Sequence, residues 1–199
     1  MSERHACRRI GLGRSTQRYR ARKAERDSEL RTRFKELAAR RMRFEYNERI
    51  ESLAQERYPQ VALLKQVKGV GTLIALTFLL TLEDPHRFRK RRDVGCYLGL
   101  QPGRRNSGQS EPQMHISKEG DPYLRTLLVQ GAQHILGPFG PDCDLRRWGL
   151  KLAERGGRNG KKRAIIATAR KLAVLLHHLW VSGDVYEALH NSSRALAAA

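Results

Sequence analysis

The sequence predicts a mainly α fold, and three observations carry that expectation. Few stretches alternate apolar and polar residues with the period of two that a half-buried strand needs. Lys161 to Trp180 is a long, clean amphipathic pattern, with Ala164, Ile165, Thr168, Leu172, Leu175, Leu176 and Leu179 on one side. Asp121-Pro122 fits an N-cap followed by proline at the first helical position, opening a helix to about Leu136. A chain of 199 residues with 40% hydrophobic content has material for one domain of ordinary size, alone or with a small appendage.

The elements follow in order. From Asp27 to about Arg57, Leu30, Phe34, Leu37 and Ala38 recur at spacings of three and four, and Ile50 and Leu53 resume the stripe beyond Arg43, Phe44 and Tyr46. The other positions there are mostly charged, so a long basic helical arm is expected, stopped by Pro59. Val61, Leu63 and Leu64 precede Gly69-Val70-Gly71, and Leu73 to Leu82 reads as a mostly buried helix. Asp84-Pro85 is turn chemistry, and Phe88 to Leu98 is expected to form a further helix. Gln101 to His115, with Pro102, Gly103, Gly108 and Pro112, reads as an irregular loop or a short hairpin. Gly137, Pro138, Gly140 and Pro141 break the chain before a short helix from Asp142 to about Glu154. Gly156 to Gly160 is a flexible, basic link.

Charge narrows the partner class. There are 39 Lys+Arg against 20 Asp+Glu, a formal charge of +19, and a field of one sign favours polyanions. A ribosome-associated RNA binder would share this composition. No apolar run approaches the roughly 18–20 residues of a membrane span, the best being Leu73 to Leu80, broken by Thr77. The first 26 residues are rich in arginine without a long apolar core, so no secretory leader and a cytoplasmic, nucleoid-associated location are expected. Cys7, Cys96 and Cys143 are too few and scattered for a disulfide framework or a four-ligand zinc site.

The most specific local signal is Val67-Lys68-Gly69-Val70-Gly71-Thr72-Leu73-Ile74-Ala75, which has the form of a helix-hairpin-helix. Its glycines permit a tight turn, and the amides opening the next helix could face a phosphate. Lys68, Gly69 and Gly71 are therefore candidate nucleic-acid-binding residues, against the plainer reading of an αα turn packed for structural reasons. Arg89, Lys90, Arg91 and Arg92, preceded by Arg87, and then Arg104 and Arg105 form a second basic concentration, read as a groove that tracks a phosphate backbone rather than only a solvated face. Gly156 to Lys162 is refused as a phosphate loop, because its spacing is one residue short and Lys161 precedes Lys162 where the motif needs Ser or Thr after the lysine. His177-His178 and Cys143 have no second cluster at ligand spacing, so a core or surface histidine pair is the preferred reading and no metal ligand is assigned. Asp84, Asp93, Glu111, Glu119 and Asp121 fall in no recognisable metal pattern. Ser107 lies in the basic, glycine-flexible run Arg104-Arg105-Asn106-Ser107-Gly108, a setting suited to a nucleophile that needs exposure and neighbouring cations.

Val67-Lys68-Gly69-Val70-Gly71, Gly99-Leu100-Gln101-Pro102, Ser107-Gly108, Ile116-Ser117-Lys118-Glu119-Gly120-Asp121 and Leu124-Arg125 coincide in order and interval with one family. Together they resemble the C-terminal domain of the IS one-ten/one-sixteen/nine-oh-two group of insertion-sequence transposases. The resemblance covers roughly residues 48–189, with residues 190–199 expected to be a flexible tail. It implies a serine nucleophile, here Ser107, in a composite site with an RNase H-like domain that binds metal through acidic residues; Ser110 and Ser117 are the alternatives. Arg104, Arg105, Lys118 and Arg125 would then stabilise charge or position the strand. The family further implies DNA as substrate, Mg²⁺, a structured guide RNA and oligomeric assembly on DNA, with no membrane partner.

Residues 1–47 are too short for the family's acidic domain. His5-Ala6-Cys7-Arg8-Arg9-Ile10-Gly11-Leu12-Gly13-Arg14-Ser15-Thr16 with Tyr19, then Glu29-Leu30 through Arg43-Phe44 and Tyr46, is similar instead to the start of the integrase-like subunit of the IS three group, a small helical segment or helix-turn-helix. The expectation is a fusion of two transposase pieces that binds no metal alone and performs no strand exchange alone. The competing expectation is a non-catalytic nucleic-acid-binding remnant.

Overall fold

A computed structural model describes Glu36 and residues 45–103, 114–155 and 157–191. The chain divides into two compact units, Met1–Glu48 and Arg49–Ala199. In the first, Glu36 and residues 45–48 are helical, and the rest of the expected basic arm lies outside the described residues. In the second, residues 49–57 are helical, followed by α1 (Gln60–Leu64), α2 (Thr72–Leu82), a 3-10 turn at Pro85–Arg87, α3 (Asp93–Tyr97), α4 (Pro122–Leu136), α5 (Asp144–Arg155), a second 3-10 turn at Gly157–Asn159 and α6 (Gly160–Ser182). The fold is mainly α as expected; among the described residues β pairing is confined to an antiparallel bridge between Pro102 and Ile116.

Local chemistry explains where the helices begin and end. Asp121 caps α4, its Oδ1 accepting the Leu124 amide at 2.5 Å, and Pro122 fills the first helical position where a missing N–H costs nothing. At the other end, Arg146 Nη1 donates to the carbonyls of Ile135 and Gly137, each at 2.5 Å, placing a cation on the unsatisfied C-terminal carbonyls. The 3-10 turn is capped by Asp84, whose Oδ1 accepts the His86 amide at 2.8 Å.

One helix is shorter than its sequence pattern. Residues 88–92 do not join α3: Phe88 is extended at φ −103°, ψ 119°. Its ring meets Tyr97 edge-on at 5.4 Å and His177 at 5.7 Å. Burying Phe88 against α6 pulls the chain straight, and four successive cations would repel one another within one helical turn.

The core is organised around α6, which packs against α4 and α5 and also touches α1 and α3. Its inner face buries Ala164, Thr168, Ala169, Leu172, Ala173, Leu176 and Leu179, and the alanines let neighbouring helices approach closely. His177 is a buried core histidine, with Nε2 2.7 Å from the Pro85 carbonyl and Nδ1 without a hydrogen-bond partner among the described residues. By length and composition α6 could cross a membrane. It passes that test as a core helix, one side buried in the domain and the other carrying Arg163, Arg170 and Lys171.

The segment after α6 folds back onto the domain. The Tyr186 amide donates to Gln66 Oε1 at 2.8 Å, the Asp144 amide to the Ala188 carbonyl at 2.8 Å, and the Asn191 amide to Asp144 Oδ2 at 2.7 Å. Burial, with the adjacent Cys143 thiol, pushes the Tyr186 phenol up to about 12. A pKa raised in the folded state gives stability that is whole below the unfolded value of about 10 and is lost as pH rises through the folded value. Tyr186→Phe is therefore expected to flatten the alkaline loss of Tm between pH 10 and 12. Superimposable alkaline limbs for the two proteins would contradict this.

Candidate functional site

The glycine turn between α1 and α2 is built mainly for packing. Val67 and Val70 are buried, and Gly69 sits at φ +92° with its missing Cβ directed at α4. A methyl there would lie 2.8 Å from Ile135 Cγ1 and 3.2 Å from the Gly131 carbonyl, so only glycine lets the turn rest on α4. Gly71 is the N-cap of α2 and has open space around it, and Lys68 is exposed. The turn has a carboxylate beside it. Glu51 Oε1 accepts the Thr72 hydroxyl at 3.2 Å and lies 3.8 Å from Lys65 Nζ.

A second set of motif residues forms the base of a hairpin. The Gly103 amide donates to the His115 carbonyl at 2.8 Å, Ser117 to Gln101 at 2.9 Å and Lys118 to Gly99 at 3.1 Å. Gly99, at φ +64°, would drive a Cβ into the backbone of Glu119, and Gly120, at φ +77°, would drive one into the Tyr97 carbonyl. The two strands therefore interlock backbone against backbone. Arg125 Nη1 secures them from α4, donating to the Leu98 carbonyl at 3.0 Å and the Glu119 carbonyl at 2.8 Å.

Residues 104–113 connect Gly103 to Met114 in the sequence, and Ser107, Ser110, Arg104 and Arg105 lie outside the described residues. Ser117 is described: it is half-buried, and its Oγ has no hydrogen-bond partner among the described residues.

Gly103 and Met114, the described residues on either side of that segment, line a cleft of about 2310 Å³. Arg91 and Arg92 form part of one wall and Lys118 stands at the hairpin base. Residues of α6 and α5 line the cleft as well. Lys162, Arg163, Arg170 and Lys171 alternate along α6 with Ile166, Ala167, Val174 and Leu175, and α5 adds Trp148 and Lys151. A spacing of three and four puts these α6 side chains on one face. Lys171 Nζ lies 4.0 Å from the centroid of the Trp148 ring, and burial holds its pKa below the usual lysine value. The lining carboxylates are Asp144, Asp184 and Glu187.

Of the residues singled out in the sequence, the cleft brings together Arg91, Arg92 and Lys118. Lys68, Gly69, Gly71, Arg89, Lys90 and Arg125 do not line it. The α6 cations carry no motif of their own, because the apolar side of Lys161 to Trp180 dominates its pattern; its polar side repeats at the same spacing and is their only signal in the sequence. Among the described residues no group of three or more His, Cys, Asp and Glu converges as a metal site. The described residues thus do not by themselves fit the Mg²⁺ that the resemblance implies for the complete family enzyme.

Residues 61–143, which span the glycine turn, the hairpin and α4, match the model of the IS116/IS110/IS902 transposase family. The chain is 33% identical over 143 residues to the transposase for insertion sequence element IS1111A of Coxiella burnetii, covering 71% of this chain and 38% of that protein. It is 36% identical over 130 residues to the putative transposase y4rJ of Sinorhizobium fredii, 65% of this chain and 32% of that one. With a probable family 20 transposase of Pseudomonas aeruginosa it shares 33% identity over 118 residues, 59% and 34% of the two lengths. The match to each of these relatives spans between about a third and two fifths of the relative's length. Over this part of its length, the chain belongs to the IS116/IS110/IS902 family of transposases.

Proposed function

We propose that the chain acts in DNA transposition as a nucleic-acid-binding part of an insertion-sequence transposase, with the cleft holding a phosphate backbone and Ser107 as the nucleophile beside it. The observation that carries this reading is the convergence of Arg91, Arg92, Lys118, Arg163 and Arg170 on one cleft, none of them ion-paired among the described residues. Cations held without carboxylate partners await an anion from outside the fold. Both ends of the segment bearing Ser107 are on the wall of that cleft.

In the proposed reaction Ser107 Oγ attacks a DNA phosphorus, the bond to the departing strand's oxygen breaks, and the serine proton ends on that oxygen. The cleft cations offset the charge gathered on the phosphate. An RNase H-like domain carrying carboxylates would complete the site, and a structured guide RNA, oligomeric assembly and a nucleoid location are carried by the family resemblance.

Fluorescence anisotropy with labelled DNA, duplex and single-stranded, tests the binding. A Kd of about 10⁻⁶ M or tighter in at least one form near 0.1 M salt is expected. Ser107→Ala should bind equally while abolishing strand cleavage by the assembled transposase. Absence of binding to either form would contradict the reading, and undiminished cleavage by the variant would remove Ser107 from it.

A further inference from the structure

A groove that merely tracked a duplex would need cations on an open, polar surface, because the outside of a duplex is phosphate and sugar. The cleft is different. Beside its cations the lining includes Ile166, Val174 and Leu175 of α6 and Leu152 of α5, together with the Trp148 indole. Apolar side chains and an aromatic ring flanked by cations are what an unpaired strand requires, since its bases are free to stack and its phosphates still need charge. From this arrangement we infer that the cleft takes single-stranded DNA, with a base stacked at Trp148 and the flanking phosphates on Lys171, Arg170 and Arg163. The inference rests on the DNA-binding reading above and specifies the form of DNA.

Trp148 and Lys171 are placed for this. The ammonium stands 4.0 Å from the ring centroid, partly desolvated, so an incoming phosphate would regain for it the charge contact that burial weakens. The cations at 163, 170 and 171 are separated by seven and eight residues and by one. At 1.5 Å per residue Arg163 is thus about 10–12 Å from the other two along α6. That is of the order of two nucleotides of an extended strand. An unpaired strand here would also pass the hairpin base at Gly103 and Met114, the two ends of the Ser107 segment.

The test compares a labelled oligothymidine of about 20 nucleotides with a duplex of the same length, in the same salt, for the wild-type chain and for Trp148→Leu. The wild type is expected to bind the single strand at least about tenfold more tightly than the duplex. Trp148→Leu should lose about tenfold for the single strand, with duplex affinity and salt dependence unchanged, because a stacking partner is removed and no charge is. Trp148→Phe, which keeps a stacking face, should restore most of the loss and controls for folding, as does an unchanged thermal transition. Duplex binding as tight as single-strand binding, or indifference to Trp148→Leu, would overturn the inference while leaving DNA binding intact. Tighter binding of an oligouridine of equal length would overturn the assignment to DNA. Binding of neither form of DNA would refute the underlying reading itself.

Discussion

Gly99→Ala is expected to destabilise the Arg49–Ala199 unit by about 3 kcal/mol or more, lowering Tm by roughly 10 °C. Two costs combine. Gly99 holds φ +64°, a conformation that an L side chain adopts at a penalty, and its Cβ would run into the Glu119 backbone. Backbone cannot rotate aside as a side-chain tip can, so the hairpin must open. The Lys118-to-Gly99 hydrogen bond and the anchorage of Arg125 on the Leu98 and Glu119 carbonyls would loosen with it. Gly71→Ala is the matched control, because its φ is −89° and nothing lies within 4 Å of the added methyl. A Tm for Gly99→Ala within 2 °C of wild type, read by circular dichroism, would show that the interlock does not hold the hairpin.

The double substitution Lys162→Ala with Arg163→Ala is expected to weaken DNA binding about tenfold or more at physiological salt and to raise stability slightly. The opposite signs are diagnostic. Both residues are exposed in the first turn of α6, where no acidic residue stands and where the helix dipole disfavours cations. Removing them should therefore return a few tenths of a kcal/mol to folding, so a loss of binding could not be ascribed to unfolding. Lys68→Ala removes a charge from the glycine turn, outside the cleft lining, and is expected to do much less. Equal losses from the two sites would mean that general charge, and not the cleft, governs affinity.

What the sequence disclosed was local. The α4 boundaries were legible because a cap and a proline act on the residues beside them, and Asp121 meets the Leu124 amide three residues on. The Phe88 segment was not, since its partner His177 is 89 positions away and its extended form comes from that contact. The motifs Gly99-Leu100-Gln101-Pro102 and Ile116 to Asp121 were visible as motifs. Their interlocking was hidden, because each glycine is required by the other strand's backbone. Glu51 reaches Thr72 across 21 positions, so the carboxylate beside the glycine turn had no sequence signature. As for the cleft, Arg91, Arg92 and Lys118 belonged to visible basic runs or motifs. The α6 cations alternate with apolar residues and so were absorbed into the pattern of a core helix.

The salt dependence of DNA affinity for the wild type and the Lys162→Ala, Arg163→Ala variant tests most directly whether phosphates sit in the cleft. For the wild type a slope of log K against log salt of about −5 to −9 is expected, since each neutralised phosphate contributes about −0.7 to −0.9, and the variant should be shallower by nearly two. A wild-type slope shallower than about −2, or one that the double substitution leaves unchanged, would contradict it.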